Sequence, residues 1–369
     1  MIKNFVTNLL KNLGPSLNIK FIIIESDDWG SLRMPSNDTY EKLEKSGVQL
    51  KFPGSDQYNL YDTLENTQDL ELLFETLAPI KDCVGRSANF TALTLSANPD
   101  FDKIQESNFE KYSYLNLKQS FEKYQKGDVL SLYAKGIEEG IFIPQFHGRE
   151  HLNVPLWMRA LKNNIGDARL AFDYGVWGHI NTHPKNLFYQ AAFDVEYPED
   201  IIEHHQIVKD GLALFERTFG YKASYFVPPN GPMNNSLLSI LADYGVRLVS
   251  SDTIQVEVLG NGKTKKHFRY MGMKNKLGQR FIKRNCFFEP SGEGKDWVDS
   301  CLKDIELAFK SKKPAVISTH RVNYMGGLSD INRVRGLFQL KELLQTILKK
   351  WPDVQFITTS ELYDLFENK

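Results

Sequence analysis

The chain has 369 residues, 41% of them hydrophobic, and 45 basic against 46 acidic side chains give a formal net charge of -1. That is the composition of a globular protein, without the basic excess of a nucleic-acid or anionic-surface binder and without the polarity of a disordered chain. Cys83, Cys286 and Cys301 are odd in number and far apart, which offers no disulfide framework or zinc-ribbon spacing and fits a reducing cytoplasm.

At the N-terminus, MIKNFVTNLLKNLGPSLNIK is interrupted by Asn and Lys before a secretory apolar region can form. No window approaches the roughly 20 apolar residues of a membrane span. The first strong signal is FIIIES from Phe21, an apolar run that reads as a buried strand and ends in Asp27, Asp28 and Trp29. Further strands are expected in ANFTALTLS from Ala88, IFIPQF from Ile141, ASYFV from Ala223, VRLVS from Val246, AVIST from Ala315 and VQFIT from Val354. Between them lie helical patterns over 199 to 220, 236 to 245, 297 to 311 and 337 to 349, with Gly220, Gly245 and Pro314 placed as stops.

Strand followed by helix, about seven times, predicts a parallel α/β sheet closed toward a barrel, in a single domain over 1 to 369. The polar stretches 50 to 85 and 97 to 130 are expected as insertions on its rim. The short basic clusters KTKKHFR (263 to 269) and KSKK (310 to 313) read as solvated loops or helix ends, His267 as part of a mobile loop, and His204 and His205 as solvent-facing or capping residues of a helix.

In such folds functional groups gather where strands end. Asp27 and Asp28 follow the first strand; HGREH, with His147 and His151, follows the third; Pro228, Pro229, Asn230 and Gly231 follow the fourth; and His320 follows AVIST. Two imidazoles four apart can turn toward one ion if the segment opens a helix, and a carboxylate from another strand end completes a two-histidine, one-carboxylate set with open positions. Two adjacent carboxylates can share a strand end if a cation neutralises one and the other works as a base. Each element has a plainer reading, the acids as a turn or N-cap and the histidines as half-buried groups bonded to backbone. GHINTHP supplies a rival pair, His179 and His183, of the same spacing but without a convincing strand before it.

The order of the acid pair, HxxxH, FVPPNG (226 to 231), Asp296 with Trp297, and ISTH (317 to 320) resembles the polysaccharide deacetylase, or NodB-homology, superfamily of carbohydrate esterases, over roughly 20 to 360. The resemblance implies a distorted, incomplete (β/α)7 TIM-like barrel of the deacetylase and glycoside-hydrolase type, a divalent metal with zinc favoured, and removal of acetyl groups from a carbohydrate in surface-polysaccharide metabolism. It makes Asp27 the general base, Asp28, His147 and His151 the metal ligands and His320 the general acid, with Trp29, Pro229, Asn230, Asp296 and Trp297 about the substrate. The turn FVPPNG matches a family turn that carries an arginine orienting the catalytic aspartate, and here that position is Val227. Arg149 in HGREH or Arg321 beside His320 is the expected replacement, and both are counted with the substrate groove. A sugar-binding protein without catalysis, or a metal-assisted hydrolase of a glycosidic, phosphate or amide bond, remains open.

Overall fold

The computed structural model describes residues 13–51, 56–180 and 186–368. Its strands are β1 (Phe21–Trp29), β2 (Phe90–Thr94), β3 (Ala97–Pro99), β4 (Tyr114–Asn116), β5 (Phe142–Phe146), β6 (Tyr225–Phe226) and β7 (Leu248–Ser250), followed by β8 (Ile254–Gly260), β9 (Lys263–Phe268), β10 (Arg280–Ile282), β11 (Cys286–Phe287), β12 (Ala315–His320) and β13 (Gln355–Phe356). Eight of them run in the order β10-β7-β6-β5-β2-β1-β12-β11, every pairing parallel, and β13 adds to the start of β1. This is an incomplete α/β barrel. Its two outer strands are consecutive in sequence, so Lys283, Arg284 and Asn285 alone carry the chain across the seam from β10 to β11.

Every residue of β1 is buried, as expected of a strand paired on both sides beneath helices. Phe90, Phe142, Phe146 and Ile24 form one core with the inner faces of the surrounding helices. Helix Asp200–Phe219 ends at Gly220, whose φ of 76° places it in the left-handed region that glycine reaches without a Cβ penalty. Helix Asp330–Lys350 starts at Ser329, whose side chain accepts from the Asn332 N–H.

All seven expected strands form, but three features were not expected. The seam pair β10 and β11 is one; the antiparallel pair β3–β4, joined through helix Phe101–Glu106, and the hairpin β8–β9 are the others. KTKKHFR therefore builds the exposed strand β9 and not a loop, and His267 is held there by Glu257 (Nε2–Oε2 2.6 Å). His204 is also not at the surface: it is 1% exposed and its ring meets Phe193, whereas His205 is half-buried and bonds Ser236. Within 50 to 85, helix Thr67–Leu77 buries Leu70, Leu73 and Phe74, and so belongs to the helical coat of the barrel. All three cysteines are free, with Cys286 and Cys301 buried.

Candidate metal and catalytic site

The end of β1 is irregular. Its ladder with β2 shifts register between Ser26 and Trp29, and Asp28 has a φ of 77°. Asp tolerates this conformation better than most residues, but a buried side chain held there marks local strain of the kind functional sites store. The result turns the Asp28 carboxylate toward the segment after β5. There, Gly148 at φ 121° bends the chain between His147 and His151. The two histidines converge through this loop and not along a helix, since the helix begins only at Val154.

Asp28 Oδ1 lies 3.4 Å from His147 Nε2 and 3.2 Å from His151 Nε2, and all three side chains are buried. His147 Nδ1 is 2.8 Å from the Val227 carbonyl, which can only accept, so Nδ1 carries a proton and Nε2 is the ring atom left to face the carboxylate. Neither Asp28 Oδ1 nor His147 Nε2 has a hydrogen-bond partner. Buried polar atoms left without partners are costly, and a cation held between these two would satisfy both. The spacing fits one: ligand atoms about 2.1 Å from a tetrahedral ion stand about 3.4 Å apart. Among the described residues this is the one group of three or more His, Cys, Asp or Glu side chains whose ligand atoms all lie within 4.8 Å of one another.

Burial alone would raise the Asp28 carboxyl, but His151 and Arg33 outweigh it and hold it well below the carboxylate range. Burial also pulls His151 down to about 4. At neutral pH we assign an ionised Asp28 beside a neutral His151, the protonation a divalent cation requires of its ligands. Arg33 Nη2 contacts Asp28 Oδ2 at 3.1 Å, so one carboxylate oxygen is tethered and the other is left for an ion.

Asp27 faces the other way, into a charged pair. Arg284 grips both its oxygens (Nη2–Oδ1 and Nη1–Oδ2, each 2.6 Å) and reaches Glu25 through Nε at 2.6 Å. Burial works to raise Asp27, and the Arg284 cation overrides it, leaving the carboxyl below its ordinary value. Arg284 thus makes the contact to Asp27 that the sequence resemblance led one to expect of an arginine, but it arrives from the seam between β10 and β11. Neither sequence candidate does so: Arg149 is bound to Glu150 and Asp210, and Arg321 is buried against Asp62 and Glu65.

His320 sits opposite Asp27 in the β1–β12 register, with Nε2 3.8 Å from Asp27 Oδ2. Its Nδ1 is 2.6 Å from Glu289 Oε1. Burial would lower the imidazole, but Glu289, Asp27 and Asp28 prevail and raise it to about 9, so it is cationic at neutral pH. The acid behind it is therefore Glu289 and not Asp296, which caps helix Trp297–Lys310. Trp297 bonds the Gly292 carbonyl and lies under Lys295. Trp29 is packing as well, fully buried with its ring edge-on to Phe142. Tyr58 was not foreseen; its ring meets His320 edge-on at 5.2 Å. In the rival pair, His179 is buried against Tyr189, and His183 lies outside the described residues.

A cleft of about 950 Å³ opens onto this centre, lined by His151, His320, Arg284 and Val227, by Asn230 of the FVPPNG turn and by the β8–β9 hairpin. Pro229 is buried beneath that turn, near Gly148.

No family model matches the sequence, and no curated protein does. Solved structures align over nearly the whole chain at low identity. One assigned as a polysaccharide deacetylase from Mycobacterium smegmatis is 11% identical, with 96% of this chain and 92% of that one covered and a TM-score of 0.44. A peptidoglycan deacetylase from Bacillus subtilis is 11% identical over 95% and 93% of the two chains, with a TM-score of 0.36. A 4-alpha-glucanotransferase from Thermococcus litoralis is 12% identical over 95% of this chain but 40% of its own length, with a TM-score of 0.45.

Proposed function

We propose that this chain is a metal-dependent carbohydrate deacetylase of the polysaccharide deacetylase type, with Asp27 as base, His320 as acid, and Asp28, His147 and His151 holding a divalent cation, zinc being the ion favoured by two imidazoles and a carboxylate. The observation that carries the reading is the bare pair Asp28 Oδ1 and His147 Nε2, 3.4 Å apart and unpartnered, next to an arginine-held aspartate and a cationic histidine. Such an ion, when bound, supplies Lewis acidity toward an acetyl carbonyl.

The chain's own groups do the rest. Arg284 fixes Asp27 in one orientation, and its remaining lone pairs can take a proton from an attacking water. His320, held by Glu289 through Nδ1 and lining the cleft, gives its Nε2 proton to the departing sugar nitrogen or oxygen. The C–N or C–O bond to the acetyl group breaks, acetate leaves, and the sugar amine or hydroxyl is released. A non-catalytic sugar-binding role drew its ground from the absent arginine at Val227, and the Arg284 contact with Asp27 supports the catalytic reading over it.

The test pairs metal analysis with acetate release from acetylated amino sugars. Asp27→Asn is expected to keep the metal and lose turnover, and His151→Ala to lose the metal; the opposite pattern overturns the assignment of roles, and wild-type protein with neither metal nor acetate release overturns the reading.

A further inference from the structure

Antiparallel neighbours directly opposite each other share a face, so one face of the β8–β9 hairpin carries Ile254, Val256 and Val258 from one strand and Phe268, Lys266 and Thr264 from the other. The opposite face is tied to the body by Gln255 on Asn235 and by Glu257 on the Asn235 N–H. The first face borders the cleft: Ile254, Val256, Val258 and Thr264 all line it, yet Ile254 is 49%, Val256 41% and Phe268 40% exposed. Phe287, another cleft residue, is 49% exposed. Aliphatic β-branched side chains gain little against a hydroxyl-covered sugar, and an apolar wall left facing a cleft marks an apolar ligand group.

Charge narrows the class. Lys263 lines the same cleft, Lys266 stands opposite Val256, and neither has a salt-bridge partner among the described residues. Of the cleft acids, Glu196 is paired with Arg159, whereas Asp194, bonded by the Val195 N–H, and Asp252 have no cationic partner among the described residues, so what would meet an anionic group is the placement of Lys263 and Lys266 and not a net excess of positive charge. We propose that the hairpin binds the apolar chain of an anionic amphiphile, so that the substrate is an acetylated sugar joined to an apolar chain through an anionic group such as a phosphate. This rests on the deacetylase reading for the sugar half only.

Decyl phosphate, which has no acetyl group to lose, tests the hairpin separately from the chemistry. Calorimetry below its micelle concentration is expected to show binding at least about tenfold tighter than methyl phosphate, a gain that burying only two or so methylenes supplies. Ile254→Ser with Val256→Ser should remove that gain and leave methyl phosphate unchanged, and Lys263→Gln with Lys266→Gln should weaken both. Acetate release should be competitively inhibited by decyl phosphate. Equal affinity for the two phosphates, a gain that survives the serine variant, or equally tight binding of a neutral decyl glycoside overturns the proposal. Chain-dependent binding without acetate release would support the hairpin site while contradicting the deacetylase.

Discussion

At the scale of residues, the acid pair after β1 is tolerable because each member has its own counter-charge: Arg284 for Asp27 and Arg33 for Asp28. Leaving one of these buried charges unpaired costs several kcal/mol, about 3–5 in comparable cases. Arg284→Met should therefore lower kcat by about 100-fold or more through a misplaced base, lower Tm, and leave bound metal unchanged; an unaltered kcat would deny Arg284 its positioning role. Glu289→Gln removes the largest support of the His320 cation, whose raised value of about 9 makes it an acid across neutral pH. If His320 is the proton donor, as proposed, its protonated form is the active one, and the alkaline limb of the kcat profile should begin near pH 9 in the wild type and move toward neutrality in the variant. The same sign governs stability: a histidine raised from 6.5 in the unfolded chain to about 9 stabilises fully below 6.5, and that contribution is lost as pH rises through about 9. Asp28, His147 and His320 were legible because they stand within two residues of an apolar run, and His151 because it repeats His147 four residues on. Arg284 and Glu289 were not, since they stand in or just after RFIKRNCFF, where basic residues break up the apolar pattern.

Among elements, the seam explains that blind spot. β10 and β11 pair over only three and two residues, one with β7 and one with β12, so the segment never makes the long apolar run by which β1 announces itself. One signal was present: a strand is owed between VRLVS and the helix beginning at Trp297 if strand and helix alternate. The HxxxH pair was found for an incomplete reason, since helical spacing was expected and a Gly148 bend supplies the convergence. A second element-scale contact bears on the acid. Helix Asp330–Lys350 passes so close to the turn after β12 that a Cβ on Gly336 would meet the Asn323 carbonyl oxygen at 1.7 Å. Asn323 in turn donates to Glu289 Oε2 at 2.7 Å. Helix propensity favours Ala over Gly by about 1 kcal/mol, but the clash should win: Gly336→Ala is expected to destabilise by about 1–3 kcal/mol in denaturant titration and to reduce kcat with it. A stabilised variant would contradict this packing.

Across the whole molecule, the barrel brings strand ends at positions 28, 147, 284 and 320 to one edge of the sheet, and no helix among the described residues is long and apolar enough to cross a membrane. If the cluster of Asp28, His147 and His151 binds its ion only when folded, the ion stabilises by mass action, about 4 kcal/mol at a free concentration a thousandfold above Kd. Chelation should therefore lower Tm as well as abolish acetate release, and the metal should restore both. The most direct measurement is anomalous scattering from crystals of the metal-loaded protein, recorded above and below the absorption edge. The account predicts a single peak within about 2.3 Å of Asp28 Oδ1, His147 Nε2 and a His151 ring nitrogen; a fully loaded protein whose peak lies elsewhere, with these three side chains unligated, would contradict it.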